Sequence, residues 1–522
     1  MTMKNFSIKN NAKVLALTAA FSMGMFSCQE SLLDPLPKTL IATENIFDTS
    51  DRVALLVNGM YTGIKSGNFL GGRAQIYGDV RADDFLNRTS NGVTAYLVWQ
   101  QTINEASQND VINMWTLAYQ GINDINNVIE GLQDPATVAK MVPPAFPATF
   151  LDAGGLRDQY VAEGKFLRAI SYHTLLQFYA RPYTRNNGND PGLPLRLLAE
   201  NGPEHNLLAR ATVAEVYAQI LKDLNEAEAA LPATITNTLT RTTRAHKNSA
   251  IAFKTRVYLT MGDWANVIAE ANKIVPIAGP FVATSGVAHA LQPNVANVFA
   301  VPQETAEMIF AFPFTAQNTP GGQNQLGFYY RSSSTSATAN PVGFQTPGGG
   351  EFGLNTAAGG ILADNVSWPA TDARRTSFVY AVAAERFLGK YPSGTPYLDK
   401  APVIRWPEVL LNLSEALARQ SGTVDTRSLE LLNAVRTRST GVTGILAPAD
   451  NAALISNILT ERRIEFLGEG LRNQDVMRTL GTFPAKGSVP AVGLNSPQYV
   501  WPIPITERAV NTDAVANETI PN

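Results

Sequence analysis

Three aspartates stand close together in a loop-like stretch: Asp79, Asp83 and Asp84. Paired carboxylates at a suitable separation can hydrolyse a glycosidic bond, and clustered carboxylates can bind calcium. Sequence alone does not fix their separation. A hydrogen-bonding or solvated loop is the simplest reading, followed by ligand contact, then by metal or acid–base chemistry. A second series, Glu461, Glu465 and Glu469, repeats every four residues and so shares one helix face. Arg462, Arg463 and Arg472 lie beside it. The pattern reads as a structural ion-pair network that fixes helices to the carboxyl-terminal segment, not as a catalytic group. The four histidines, at 173, 205, 246 and 289, show no metal-ligand spacing. Gly348-Gly349-Gly350 lacks the Lys-Ser/Thr of a phosphate loop. No cofactor and no metal are expected.

Aromatic side chains are the residues a sugar binder needs. The C–H face of a pyranose is apolar and stacks on a ring, while its hydroxyls require amides, carboxylates or arginine nearby. Two stretches offer that mixture. Residues 77–101 carry Tyr77, Asp79, Asn87, Arg88, Tyr96, Trp99 and Gln100. Residues 317–331 carry Asn318, Gln323, Asn324, Phe328, Tyr329, Tyr330 and Arg331. The first candidates for ligand contact are therefore Trp99, Tyr96, Tyr77, Asp79, Asn87, Arg88, Tyr329, Tyr330 and Arg331. Trp99 leads, because Gln100 and Gln101 follow it directly. The competing reading for each ring is ordinary core.

The chain opens with Lys4, Lys9 and Lys13 ahead of any acidic residue, then an apolar run from Val14 to Phe26. That is the form of a secretory leader, and the run is too short for a membrane span. Cys28, the one cysteine of 522 residues, follows it. A lone cysteine in a secreted chain cannot close an internal disulfide. Cleavage before Cys28 and acylation of its thiol explain its place. Several acyl chains on one residue would give a stable anchor. Loss of the three lysines would take the formal charge from −3 to about −6. That charge excludes the footprint of a nucleic-acid binder.

The elements that must hold these residues are helices. Apolar residues recur at three- and four-residue spacing over 51–64, 111–132, 156–179, 212–231, 247–261, 264–274, 404–419, 425–438 and 453–468. The pair at 247–274 turns at Gly262-Asp263, has small residues at its crossing, and places Trp264 after the turn. It resembles a tetratricopeptide unit, which buries its apolar face on its neighbours. Residues 276–300 and 315–370 are rich in Gly, Pro, Ser, Thr and Asn, and predict irregular structure with a few short strands on the helical scaffold.

Five motifs in order resemble the SusD/RagB family of Bacteroidota outer-membrane lipoproteins. They are Leu33-Asp34-Pro35, Trp115 to Ile129, Glu163 to Tyr172, Arg405 to Ala416, and Glu461 to Arg478 followed by Trp501-Pro502-Ile503-Pro504, Glu507 and Asn511. The region around Cys28 is similar to the lipobox of such lipoproteins. The resemblance implies a mainly α, SusD-like fold: tetratricopeptide-like helical pairs supporting a loop-rich, irregular ligand-binding layer. It divides the chain into a leader at 1–27, an N-terminal region at 28–235 and a RagB/SusD region at 236–522, with a loop-rich insertion near 276–400, all in one body. It implies a non-enzymatic, lipid-anchored surface protein of the outer membrane. Such a protein captures oligosaccharides, or less readily peptides, for a SusC-like TonB-dependent transporter. Two other readings stay open on the residues alone: a surface glycoside hydrolase using the acidic loop, and a helical-repeat scaffold with no small ligand.

Overall fold

The computed structural model describes residues 45–89, 91–321, 325–334 and 347–517. Cys28, the leader, Gln323 and Asn324 lie outside them. The N-terminal half carries α1 (Ser50–Ile64), α2 (Arg73–Val80), β1 (Phe85–Asn87), α3 (Tyr96–Gln100), α4 (Asn113–Gln133), α5 (Leu156–Tyr179), β2 (Pro191–Pro194), β3 (Arg210–Thr212) and α6 (Val213–Ala230). Then come α7 (Lys247–Met261), α8 (Trp264–Ala271), β4 (Met308–Phe312), α9 (Leu326–Tyr330), β5 (Phe352–Leu354), β6 (Val379–Val382), β7 (Glu385–Leu388) and β8 (Ala401–Arg405). The chain continues with α10 (Trp406–Ser421), α11 (Thr426–Thr440), α12 (Asn451–Glu465) and α13 (Arg472–Arg478).

The long helices form a continuous row. Helix α1 packs on α4, α4 on α5, α5 on α6, α6 on α7, α7 on α8, α8 on α10, and α10 on α11 and α12. Each helix covers the apolar face of the one before it, which is why none of these pairs is stable alone. Glycine lets the first pair approach closely: a Cβ on Gly121 of α4 would lie 2.6 Å from Ile64 Cδ1. The α7–α8 turn is the expected one. Gly262 takes φ 74°, a left-handed geometry that favours glycine, and the Asp263 carboxylate accepts the Asn266 N–H to start α8. Buried apolar residues from Val53 to Ile503 form one connected cluster.

The insertion returns to the scaffold through an antiparallel ribbon in which β4 pairs with β8. Its outer part adds the β6–β7 hairpin and strand β5, which pairs with β1 far earlier in the chain. The short strands on a helical base are the expected architecture.

The Glu461, Glu465 and Glu469 series is buried and paired, but not to the carboxyl-terminal segment, which corrects the sequence reading. Five cations, Arg374, Arg405, Arg436, Arg438 and Lys390, meet five carboxylates, Asp372, Glu307, Glu461, Glu465 and Glu469. The partners come from the insertion, from β8 and from α11, none of them adjacent in sequence. The terminal segment is held otherwise. Trp501 N–H donates to Phe178 O at 2.7 Å, and Asn511 exchanges two hydrogen bonds with the backbone of Leu208.

Candidate ligand-binding surface

The sequence candidates converge on one corner of the fold, where α2, α3, β1, α9 and β5 meet. Strand β1 pairs with β5 in register Phe85–Leu354, Leu86–Gly353 and Asn87–Phe352. Arg88 N–H donates to Glu351 O at 2.8 Å and extends the ladder. Helix α3 is a single five-residue turn set between two left-handed non-glycine residues, Ala95 at φ 61° and Gln101 at φ 58°. Such geometry costs about 1–3 kcal/mol per residue and persists only where its surroundings impose it. Here the Asp110 carboxylate accepts the Ala95 N–H, and the Gln101 amide donates to Arg81 O. The result aims Trp99 inward, its indole N–H donating to Phe85 O at 3.1 Å.

Five of the nine candidates are enclosed in this structure. Helix α2 is buried on every side. Tyr77 therefore has no exposed ring face: its hydroxyl donates to Asp110 Oδ1 at 2.7 Å and its ring meets Trp501 at 5.2 Å. Asp79 accepts the Gly470 N–H at 2.9 Å and the Tyr330 hydroxyl at 3.3 Å. Burial pushes its carboxyl up to about 8, so it is protonated at neutral pH. Tyr329 faces Phe352, and Tyr330 lies between Phe85 and Tyr391. Arg331 donates to the carbonyls of Pro392 and Ser393 and sits over the Tyr397 ring. All five join elements distant in sequence. Trp99 is 7% exposed, so it too is mainly core.

Tyr96, Asn87 and Arg88 remain half-open to solvent. The Tyr96 ring stacks beside Trp99 at 6.2 Å and 25°, and its hydroxyl accepts from Gln100 Nε2 at 2.7 Å. Arg88 lies flat across bare backbone: a Cβ on Gly353 would stand 2.7 Å from its Nε. Its other contact is an ion pair with Glu385 at 3.4 Å. Glu351, which holds Thr89 and Asn91, and Lys486, whose ammonium donates to the carbonyls of Val80 and Ala82 near the Trp99 ring, complete the surroundings. Sequence reasoning missed Gly353, Glu351, Glu385 and Lys486, because nothing local links them to residues 85–100.

The acidic loop is occupied. Asp84 accepts two hydrogen bonds from Arg463 and one from the Ile361 N–H, and Asp83 is shared by Arg463 and Arg472. All four carboxylate oxygens are engaged.

Comparison with known proteins places this arrangement. Residues 33–259 match a family model described as "Starch-binding associating with outer membrane", and residues 389–519 match the model of the SusD family. A crystal structure of a SusD superfamily protein from Bacteroides fragilis is 30% identical, covers 90% of this chain and 99% of its own, and superposes with a TM-score of 0.76. The chain belongs to the SusD family. SusD-like protein P2 of Formosa agariphila is 22% identical over 93% of this chain and 95% of its own length. Surface glycan-binding protein A from Bacteroides thetaiotaomicron, solved in complex with laminarihexaose, shares the fold at a TM-score of 0.67 and 18% identity, over 90% of this chain and 99% of that one. The SusD fold accounts for the helical row and for the loop layer built on it. Among the described residues no helix is long and apolar enough to cross a membrane.

Proposed function

We propose that this SusD-family chain binds an oligosaccharide at the cell surface and delivers it, without covalent chemistry, to a SusC-like TonB-dependent transporter. Acyl chains on Cys28 hold it to the outer membrane. The observation that carries the reading is the half-open Tyr96 ring, braced from behind by Trp99 and bonded to the Gln100 amide, with Asn87 and Arg88 half-open on strand β1 of the same corner. A ring face for a pyranose and planar donors for its hydroxyls are what a sugar site needs. The enclosed aromatics, Tyr77, Tyr329 and Tyr330, support that surface from beneath. The glycan-bound relative of the same fold supports an oligosaccharide over a peptide. The fully paired Asp83 and Asp84 support binding over hydrolysis.

Calorimetry of the purified protein against soluble oligosaccharides, laminarihexaose among them, tests the reading. Tyr96→Ala is expected to weaken the bound glycan at least tenfold, about 1.4 kcal/mol. Binding of peptides and of no glycan would overturn it. Copurification of a TonB-dependent transporter from native membranes tests the delivery step.

A further inference from the structure

A second open surface lies on the helical row, apart from the corner that holds Tyr96. Between α1 and α4 runs an apolar groove of about 440 Å³, floored by Phe47, Leu56, Met60 and Val128. Leu55, on its wall, is 64% exposed, and Gly59 faces open space. At its rim Asp124 stands exposed, and no cation pairs with it among the described residues. Covering the contiguous apolar lining would remove it from water, and the exposed Asp124 carboxylate at the rim can pair with a cation on whatever covers it.

The chain itself supplies a fitting occupant. The described residues begin at Asn45, and the next two, Ile46 and Phe47, already line the groove. Ahead of them residues 33–44 read Leu-Asp-Pro-Leu-Pro-Lys-Thr-Leu-Ile-Ala-Thr-Glu. Leu36, Leu40 and Ile41 are apolar, Pro35 and Pro37 favour an extended course, and Lys38 is the one cation. The family match also starts at residue 33, ahead of the described residues, so this stretch belongs with the domain.

We propose that residues 33–44 dock in the α1–α4 groove, their leucines against Leu55 and Met60 and Lys38 at Asp124. The consequence rests on the Cys28 anchor of the preceding section. Seventeen free residues between the acyl chains and Asn45 would reach about 55–60 Å, whereas a docked segment leaves only residues 28–32, about 15–18 Å. The docked segment is thus a short strap that keeps the α1–α4 face toward the membrane.

Trypsin release from outer-membrane vesicles carrying the full chain tests this. Lys38 is the only basic residue between Cys28 and Arg52, so cleavage there frees the body, and mass spectrometry of the fragment confirms the site. Slow cleavage of the wild-type strap is expected, with at least tenfold faster cleavage in Leu55→Asp and in Leu36→Asp, and a smaller acceleration in Asp124→Asn. Leu36→Asp leaves the described body untouched, so its effect cannot come from misfolding. Equal rates in wild type and both leucine variants would overturn the docking. Protein found off the membrane before protease is added would instead overturn the Cys28 anchor, and the Lys38 cleavage rate in solution would still decide the docking.

Discussion

Arg405 and Glu469 meet through two parallel hydrogen bonds, Nε to Oε2 at 2.7 Å and Nη2 to Oε1 at 2.6 Å, with both side chains buried. This fork joins the end of β8 to the turn after α12, and lies at the centre of the ten-charge network. Burial opposes ionisation of Glu469, yet Arg405 and Lys390 hold its carboxyl below the usual range. Removing one member leaves a buried charge without its partner. Arg405→Ala is expected to cost about 3–5 kcal/mol in denaturant unfolding, and Arg405→Lys most of that, because an ammonium cannot reproduce the fork. A loss below about 1 kcal/mol would mean that the network relaxes around the gap.

That network and a separate buried cluster around Asp475 set the acid limit. Asp475, between Arg462 and Arg478, is held down to about 2, and Glu465 is lowered by Arg438, Arg405 and Arg374. Carboxyls depressed in the fold contribute stability above their unfolded values near 4, and lose it as pH falls through the folded ones. Asp79 has the opposite sign. Its folded value of about 8 exceeds the unfolded one of about 3.9, so it destabilises progressively as pH rises from about 4 to 8. The buried His173, held down to about 3 by burial, contributes a slope of the other sign below about 6.5. The difference between wild type and Asp79→Asn isolates Asp79. The variant is expected to gain relative stability by up to about 1.4 kcal/mol per pH unit across that range, read from denaturation midpoints at each pH. A constant difference between the two would show that Asp79 is already ionised at neutral pH.

Trp99 serves the fold more than the ligand. Trp99→Phe keeps a ring against Tyr96 but leaves Phe85 O without the indole donor. A loss of about 1–3 kcal/mol in stability is expected, with glycan affinity within about twofold. Lost affinity in a variant of unchanged stability would instead put the indole in contact with the sugar.

Much of this was legible in advance. The helix pattern predicts the observed limits of α5 and α7 and the residues of the α7–α8 turn, because apolar residues recur at three- and four-residue spacing along them. Helix α2 was not legible: buried all round, it carries Arg73, Gln75 and Asp79 inside, so polarity suggested a loop where tertiary partners satisfy each group. The same cause misplaced Tyr77 and Tyr330. In sequence their rings offer stacking faces to a sugar, whereas in the fold their hydroxyls are bonded to the buried Asp110 and Asp79. Strand β8 took the first two residues of the expected 404–419 helix, since its partner β4 lies nearly a hundred residues earlier. Short-range periodicity carries no information about such pairings.

Gly353 illustrates a contact that only the fold reveals, and it carries the last prediction. It faces Leu86 across the β1–β5 pair, and its missing side chain is the space in which Arg88 lies. Gly353→Ala would put a methyl 2.7 Å from Arg88 Nε, with Arg386 O at 3.1 Å blocking escape on the other side, so the guanidinium must swing away. Alanine also loses less backbone entropy than glycine on folding, so stability is expected to hold or rise by up to about 1 kcal/mol. Glycan affinity is expected to fall by the same factor as in Arg88→Ala, and the double variant by no more than either alone, since both remove one contact. Additive losses in that cycle, measured by calorimetry, would mean that the strand surface at Gly353 meets the ligand independently of Arg88.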